Sequence, residues 1–158
     1  MLELGAFEAA VVGVFASPDA VAAVHAGPWS VCRVAPDEAM VVAEADDGEQ
    51  MLGALEAAVG AADPDGIVLE TTDGWSACTL SGDASRDAFS YLSELELPDE
   101  GFVQGAVADV PVRVIVEQDV LYLFVPAMWG AYLRDRIMTD CAHLGVREVE
   151  TVEAEVVR

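Results

Sequence analysis

The side chains that could do chemistry are few: three cysteines, two histidines, one Gly-x-Ser string and seven arginines, with no lysine. Gly74-Trp75-Ser76-Ala77-Cys78 begins like a nucleophile elbow, but it lacks the closing glycine. It also sits inside a run that reads as strand, where Trp75 and Ala77 take one face and Ser76 the other. Hydrolase chemistry is therefore not expected. Cys141 and His143 lie two apart on a helical stretch, so their side chains diverge by about 200° and cannot share an ion. Cys32, Cys78 and Cys141 are odd in number and widely spaced, which suits buried thiols better than disulfides or a Cys-x-x-Cys metal site. His25 stands at the end of a short helical run, where an imidazole is expected to bond the last carbonyls. No Gly-x-Gly-x-x-Gly string occurs, and a Walker loop is impossible without lysine. No catalytic residue and no metal ligand follow from these patterns.

The arginines raise the next question. Arg86 falls in the first turn of its helix, where a cation is disfavoured, so a partner elsewhere is expected. Arg134 and Arg136 share a helix with Asp135 and Asp140, and local ion pairing accounts for them. The alternative is an anion- or partner-binding edge made by Arg86, Arg113 and Arg134.

The chain that must position these groups has 158 residues, 29 of them acidic against 7 basic, for a net charge of -22. Such a surface repels phosphate backbones and anionic lipid heads, which argues against nucleic-acid and membrane binding. A hydrophobic fraction of 54% excludes a disordered acidic tail. Ala and Val supply 50 of the 85 hydrophobic residues. Small apolar residues inside and carboxylates outside point to a high-salt cytoplasm, where salt screens self-repulsion; an acidic protein of a GC-rich genome is the alternative. No run reaches the roughly 18 apolar residues of a membrane helix, and no basic region precedes the first apolar run as in a signal peptide.

Along the chain, punctuation by Gly, Pro and Asp marks alternating elements in one domain over residues 1–158. Phe7 to Ala16 is one apolar run, and Ser17-Pro18 starts a short helix to His25. Strands are predicted over 29–34 and 38–44, then a helix opened by Asp46-Asp47 with Met51, Leu55, Ala58 and Val59 on one face. Strands 67–71 and 75–80 read as a hairpin joined by Thr72-Asp73-Gly74. A helix over 84–95 follows, then strands over 102–108, 112–117 and 121–125. The last helix runs from Pro126 to about Leu144 with Trp129, Leu133, Ile137, Cys141 and Leu144 as its apolar stripe, capped by Gly145. The acidic tail, 146–158, is an edge strand or frayed. Neighbouring strands sit too close for helical crossovers, so the fold class is α+β, with a mixed or largely antiparallel sheet and helices packed on it.

Two segments carry a family likeness. Thr72-Asp73-Gly74-Trp75-Ser76-Ala77-Cys78-Thr79-Leu80-Ser81-Gly82-Asp83-Ala84-Ser85-Arg86-Asp87 resembles the stretch Ser-Asp-Gly-Arg-x-x-x-x-(Leu/Ile)-Ser-Gly-Pro-x-Ala-Arg-Asp of the sarcosine oxidase γ subunit family. Leu121 to Val125 followed by Trp129 to Leu133 resembles that family's ending Phe-x-Leu-x-Val-x-Arg-Ser-(Tyr/Phe)-Ala-x-Tyr-Leu, and Pro36-Asp37-Glu38 matches its Pro-Asp-Glu. The likeness covers about residues 30 to 145. This sequence departs from it in having Asp83 for the usual Pro, Ala39 for a Trp, and Pro126-Ala127-Met128 for the Arg-Ser pair.

The resemblance implies a shortened relative of the folate-binding aminomethyltransferase (glycine-cleavage T-protein) fold. It also implies a non-catalytic γ-type subunit of a heterotetrameric flavoenzyme whose flavin and NAD sit on larger partner subunits, and the composition adds a halophile as its source. The alternatives are a stand-alone folate-binding or one-carbon-transfer module, with Asp73, Trp75 and Arg86 as its pterin candidates, and a self-associating scaffold. A partner needs the least charged surface. Trp75, Met128 and Tyr132 are expected to be partly exposed and to mark it, with Arg134 beside them; otherwise all three are ordinary core.

Overall fold

The computed structural model describes residues 1–25 and 27–150, which form two compact units, 1–8 with 73–150 and 9–72. In chain order the elements are β1 (Leu2–Phe7), β2 (Ala9–Phe15), α1 (Pro18–Ala23), β3 (Ser30–Ala35), β4 (Glu38–Glu44) and α2 (Gly48–Ala62). They continue with β5 (Ile67–Glu70), β6 (Trp75–Ser81), α3 (Ser85–Leu92), β7 (Gly101–Val107) and β8 (Val110–Glu117). β9 (Val120–Pro126), α4 (Gly130–Asp140) and β10 (Val146–Val149) complete the described set. The class is α+β, with one mixed and one antiparallel sheet and helices packed on each.

The first unit is a six-stranded sheet in the order β10-β1-β6-β9-β8-β7. All neighbours are antiparallel except β10, which lies parallel to β1 as an edge strand. Residues 151–158 of the predicted tail lie outside the described residues. The strict alternation of β8 and β9 sends Val112, Val114, Val116, Leu121, Leu123 and Val125 to one face, where Phe89 of α3 and Leu133 and Ile137 of α4 cover them. The tight turns follow local chemistry. Ala108 and Asp109 both take positive φ, as a two-residue hairpin requires, and Gly145 ends the last helical turn in the left-handed region.

The second unit is an antiparallel sheet in the order β3-β4-β2-β5. Val12 and Val14 of β2 and Val41 of β4 meet Val21 of α1 and Met51, Leu55 and Val59 of α2. Ala58, placed on that helical face by its spacing, is exposed.

Several expectations change. The apolar run from Phe7 is two strands divided at the exposed Glu8, and β1 and β2 enter different sheets. The Asp73-Gly74 hairpin does not form. Thr71 N–H donates to Val11 O at 2.8 Å, and Val11 N–H donates to Thr72 Oγ1 at 2.9 Å, so the β5 ladder with β2 extends into the expected turn. Glu70 accepts from Thr72 N–H, the chain makes a 3-10 turn over Thr72–Gly74, and β6 pairs with β1 and β9. Helix α3 stops at Leu92 rather than Leu95. Ser93 is extended, its hydroxyl donates to Ala106 O at 2.6 Å, and Ala108 N–H donates to Leu92 O at 2.7 Å. The last helical stretch is divided into a 3-10 turn over Ala127–Trp129, α4, and a second 3-10 turn over Ala142–Leu144. At the end of α1 the carbonyls are bonded by Arg33, not by His25. Its guanidinium donates to Val21 O, to Ala22 O at 3.2 Å and to Val24 O at 3.0 Å.

Candidate partner-contact site

The surface of interest grows from the end of β9. Pro126 pairs with Trp75, the first residue of β6, and then breaks the strand because it has no N–H for a further ladder bond. The 3-10 turn that follows pushes Met128 and Trp129 outward, 81% and 39% exposed. Trp129, expected in the inward stripe, is therefore a surface residue; Leu133, Ile137 and Cys141 carry the stripe without it. The indole meets the half-buried Tyr132 ring edge-on at 5.8 Å. Trp75 is half-buried, with the Arg113 guanidinium 4.6 Å above its ring.

Tyr132 is fixed at both ends. Its hydroxyl donates to Ala108 O at 2.9 Å and accepts from Arg136 Nη1 at 2.7 Å, and Arg136 also pairs with Asp140 at 2.8 Å. Asp140 and the Tyr132 hydroxyl hold the Arg136 guanidinium protonated more firmly than usual. Arg134 does not pair on its own helix. Its Nε and Nη2 reach Glu148 of β10 at 3.2 and 2.6 Å, a two-pronged and half-exposed bond.

Beneath that ion pair runs a groove of about 750 Å³, lined by Ala6, Ser76, Cys78, Gly130, Arg134 and Glu148 among others. Gly130 lets α4 approach the strand here, since a Cβ would fall 2.3 Å from Ser76 Oγ. The Cys78 thiol is pushed up to about 12 by its apolar surroundings, against the weak opposite pull of Arg134. A thiol held that high stays protonated near neutral pH.

The remaining sequence candidates go to separate places. Asp73 is exposed on its 3-10 turn, two residues before Trp75 in the chain. Arg86 donates to the carbonyls of Pro98 and Asp99, both at 3.1 Å, so the partner its position demanded is a loop. β6 holds Trp75 and the start of α3 at opposite ends, about 20 Å apart along a seven-residue strand. Asp73, Trp75 and Arg86 are thus not gathered into one pocket, and neither are Arg86, Arg113 and Arg134. His143 lies edge-on against the exposed Tyr91 at 4.5 Å. Among the described residues no three His, Cys, Asp or Glu side chains come together as metal ligands, and no helix is long and apolar enough to cross a membrane. Trp129 is the exposed aromatic side chain that the helical spacing places inward. The signal was present in Pro126, which unsettles the helical phase of the next turn.

Comparison with known proteins agrees with this architecture. A chain of the heterotetrameric sarcosine oxidase from Corynebacterium sp. U-96 superposes with a TM-score of 0.76 at 18% identity, over 94% of this chain and 87% of that one. The glycine cleavage system aminomethyltransferase T from Bartonella henselae gives 0.68 at 14% identity, over 94% of this chain and 47% of that one; this chain spans about half its length. No protein-family model and no curated protein matches the sequence. The fold is that of the aminomethyltransferase class. It is the fold shared by that chain of heterotetrameric sarcosine oxidase and by about half of that aminomethyltransferase.

Proposed function

We propose that the chain is a non-catalytic γ-type subunit of a sarcosine oxidase-like flavoenzyme in the cytoplasm of a halophile. Its role is to dock on larger partner subunits that carry the flavin and the NAD. The observation that carries this reading is the exposed Met128–Trp129 pair beside Trp75 and Tyr132, an aromatic surface edged by Arg113 and Arg136 on a chain of net charge -22. Interfaces concentrate their energy in such aromatic anchors, and Arg134 lies close enough in the chain to exchange Glu148 for a partner carboxylate at the rim. The fold shared with a chain of an oligomeric sarcosine oxidase supports the same reading.

Co-expression with flavin-containing amine oxidase subunits of the same cell, followed by affinity purification in molar KCl, tests it. The wild-type chain is expected to co-purify with a yellow complex. Met128→Asp with Trp129→Ser is expected to lose that complex with little change in melting temperature, because both side chains are exposed. The chain alone is expected to be colourless and inactive on sarcosine. Stoichiometric flavin in the isolated chain, or a complex indifferent to the double substitution, overturns the proposal.

A further inference from the structure

A second surface lies on the other unit, and its argument is independent of the subunit reading. β5 is the outer strand of the four-stranded sheet, and among the described residues no strand pairs with its free edge. Its register with β2 sets Phe15 opposite Ile67, Val14 opposite Val68, Gly13 opposite Leu69 and Val12 opposite Glu70. The bond from Thr71 N–H to Val11 O fixes the alternation. Residues 67, 69 and 71 turn their backbone groups toward β2, so Val68 and Glu70 turn theirs outward. Beside this open edge the sheet exposes apolar side chains: Ile67 is 52% exposed, Leu69 50% and Phe15 39%. Phe15 lies over Gly13, where a Cβ would be 3.0 Å from its ring.

Edge strands are ordinarily protected against pairing by Pro, Lys or Arg, or by a bulge. The opposite edge of this sheet obeys that rule: β3 has a register shift between Arg33 and Ala35 and carries the Arg33 charge. Ile67-Val68-Leu69-Glu70 has no proline, basic residue or bulge; its protection is its shortness and one carboxylate, Glu70, with Asp63 and Asp65 before it.

We infer that the free edge of β5 takes up an extended strand of another protein, with apolar residues at alternate positions and arginine or lysine at its ends. Charge selects this occupant over a second copy of the chain. Antiparallel self-pairing centred on Leu69 makes the two Glu70 side chains diagonal neighbours. Centred on Val68, it sets each Glu70 beside the Asp65 of the other copy. Either register brings like charges together in a pair whose members each carry -22. A basic-ended strand meets the same carboxylates favourably, while its backbone satisfies the outward groups of Val68 and Glu70.

The test uses the full chain in KCl at a concentration where it is folded, with labelled peptides of about nine residues read by fluorescence anisotropy. One peptide alternates Val and Thr between paired arginines; a second of equal charge has proline at its centre; a third has glutamates at its ends. The alternating basic peptide is expected to bind at least about tenfold more tightly than either control. Val68→Pro removes an outward N–H and leaves the β2 ladder whole, and it is expected to reduce binding to the level of the proline control. Ile67→Thr with Leu69→Thr keeps strand propensity, removes the apolar contact and is expected to do the same. That pair decides the matter if the proline variant fails to fold. Equal binding of all three peptides, or unchanged binding by the folded variants, overturns the inference. So does a wild-type dimer in sedimentation that Ile67→Thr with Leu69→Thr dissolves, since the occupant would then be a second copy.

Discussion

Replacing Gly130 by alanine tests how closely α4 is set against its sheet. The new Cβ would lie 2.3 Å from Ser76 Oγ and 2.7 Å from Ser76 Cβ. The hydroxyl can rotate away, but the Ser76 Cβ is fixed to a strand paired on both sides, so the start of the helix must move. Overpacking of this kind costs about 1–3 kcal/mol. Alanine in place of glycine in a helix returns about 0.5–1 kcal/mol. The expected net loss is about 1–2 kcal/mol, which for a chain of this length lowers the melting temperature by about 2–8 °C. Ser76→Gly removes both obstructing atoms and itself costs about 0.5–1 kcal/mol as a glycine in a strand. Combined with Gly130→Ala it should recover about 1–2 kcal/mol of coupling energy in a double-mutant cycle. Thermal unfolding followed by circular dichroism in molar KCl reads all four proteins. A Gly130→Ala chain as stable as the parent, or one equally destabilised in both backgrounds, refutes the close-approach argument.

Three further outcomes are expected. With net charge -22, the melting temperature should climb strongly between about 0.1 and 3 M KCl, as the Debye length falls from about 10 Å to below 3 Å; a flat profile removes the high-salt reading. Arg33→Ala should cost about 1 kcal/mol and speed amide exchange around α1, because the carbonyls of Val21, Ala22 and Val24 lose their shared donor, and Arg33→Lys should restore only part of it. The Cys78 thiol titrates higher in the fold, at about 12, than its ordinary value of 9.0. Its contribution to stability is therefore full below that ordinary value and is lost as pH rises through the folded one. Urea denaturation of wild type and Cys78→Ala at rising alkaline pH should show a steeper decline for the wild type.

How far the sequence could be read depended on whether the deciding contact was local. The strands 38–44, 112–117 and 121–125 follow from β-branched runs bounded by turn residues, and the structure places strands over each of them. Which strands pair is a different matter. Asp73-Gly74 is a sound hairpin signal, but Thr71 and Thr72 bond back to Val11, far away in the chain, and draw β5 into another sheet. Trp129 leaves the expected inward stripe because no continuous helix runs from Pro126: it closes a 3-10 turn at φ -103° and ψ 1°, outside helical geometry, and α4 begins only at Gly130. The cations were legible as needing partners, but not in their choice: Arg86 found a loop carbonyl pair and Arg134 found Glu148 on β10. Local pairing with Asp135 and Asp140 is expected of both Arg134 and Arg136, and it forms only for Arg136 with Asp140, one turn apart. The apolar edge at Ile67 and Leu69 had no signature, since an exposed strand edge and a central strand read alike in four residues.

The place of β1 in its sheet sets an order of events during synthesis. Leu4 pairs with Leu80 and Leu2 with Val146, while everything between Glu8 and Asp73 belongs to the other unit. On a ribosome adding about 5–20 residues per second, the first strand emerges roughly 7–30 seconds before its last neighbour. Until β6 follows, roughly 4–15 seconds after β1, residues 9–72, continuous in the chain, can assemble their own sheet and helices, whereas Leu2, Leu4 and Phe7 have no strand of their own unit to pair with. β1 therefore waits unpaired while a segment that can fold by itself is made behind it. Slow elongation over residues 73–81 would lengthen that wait without touching the insert.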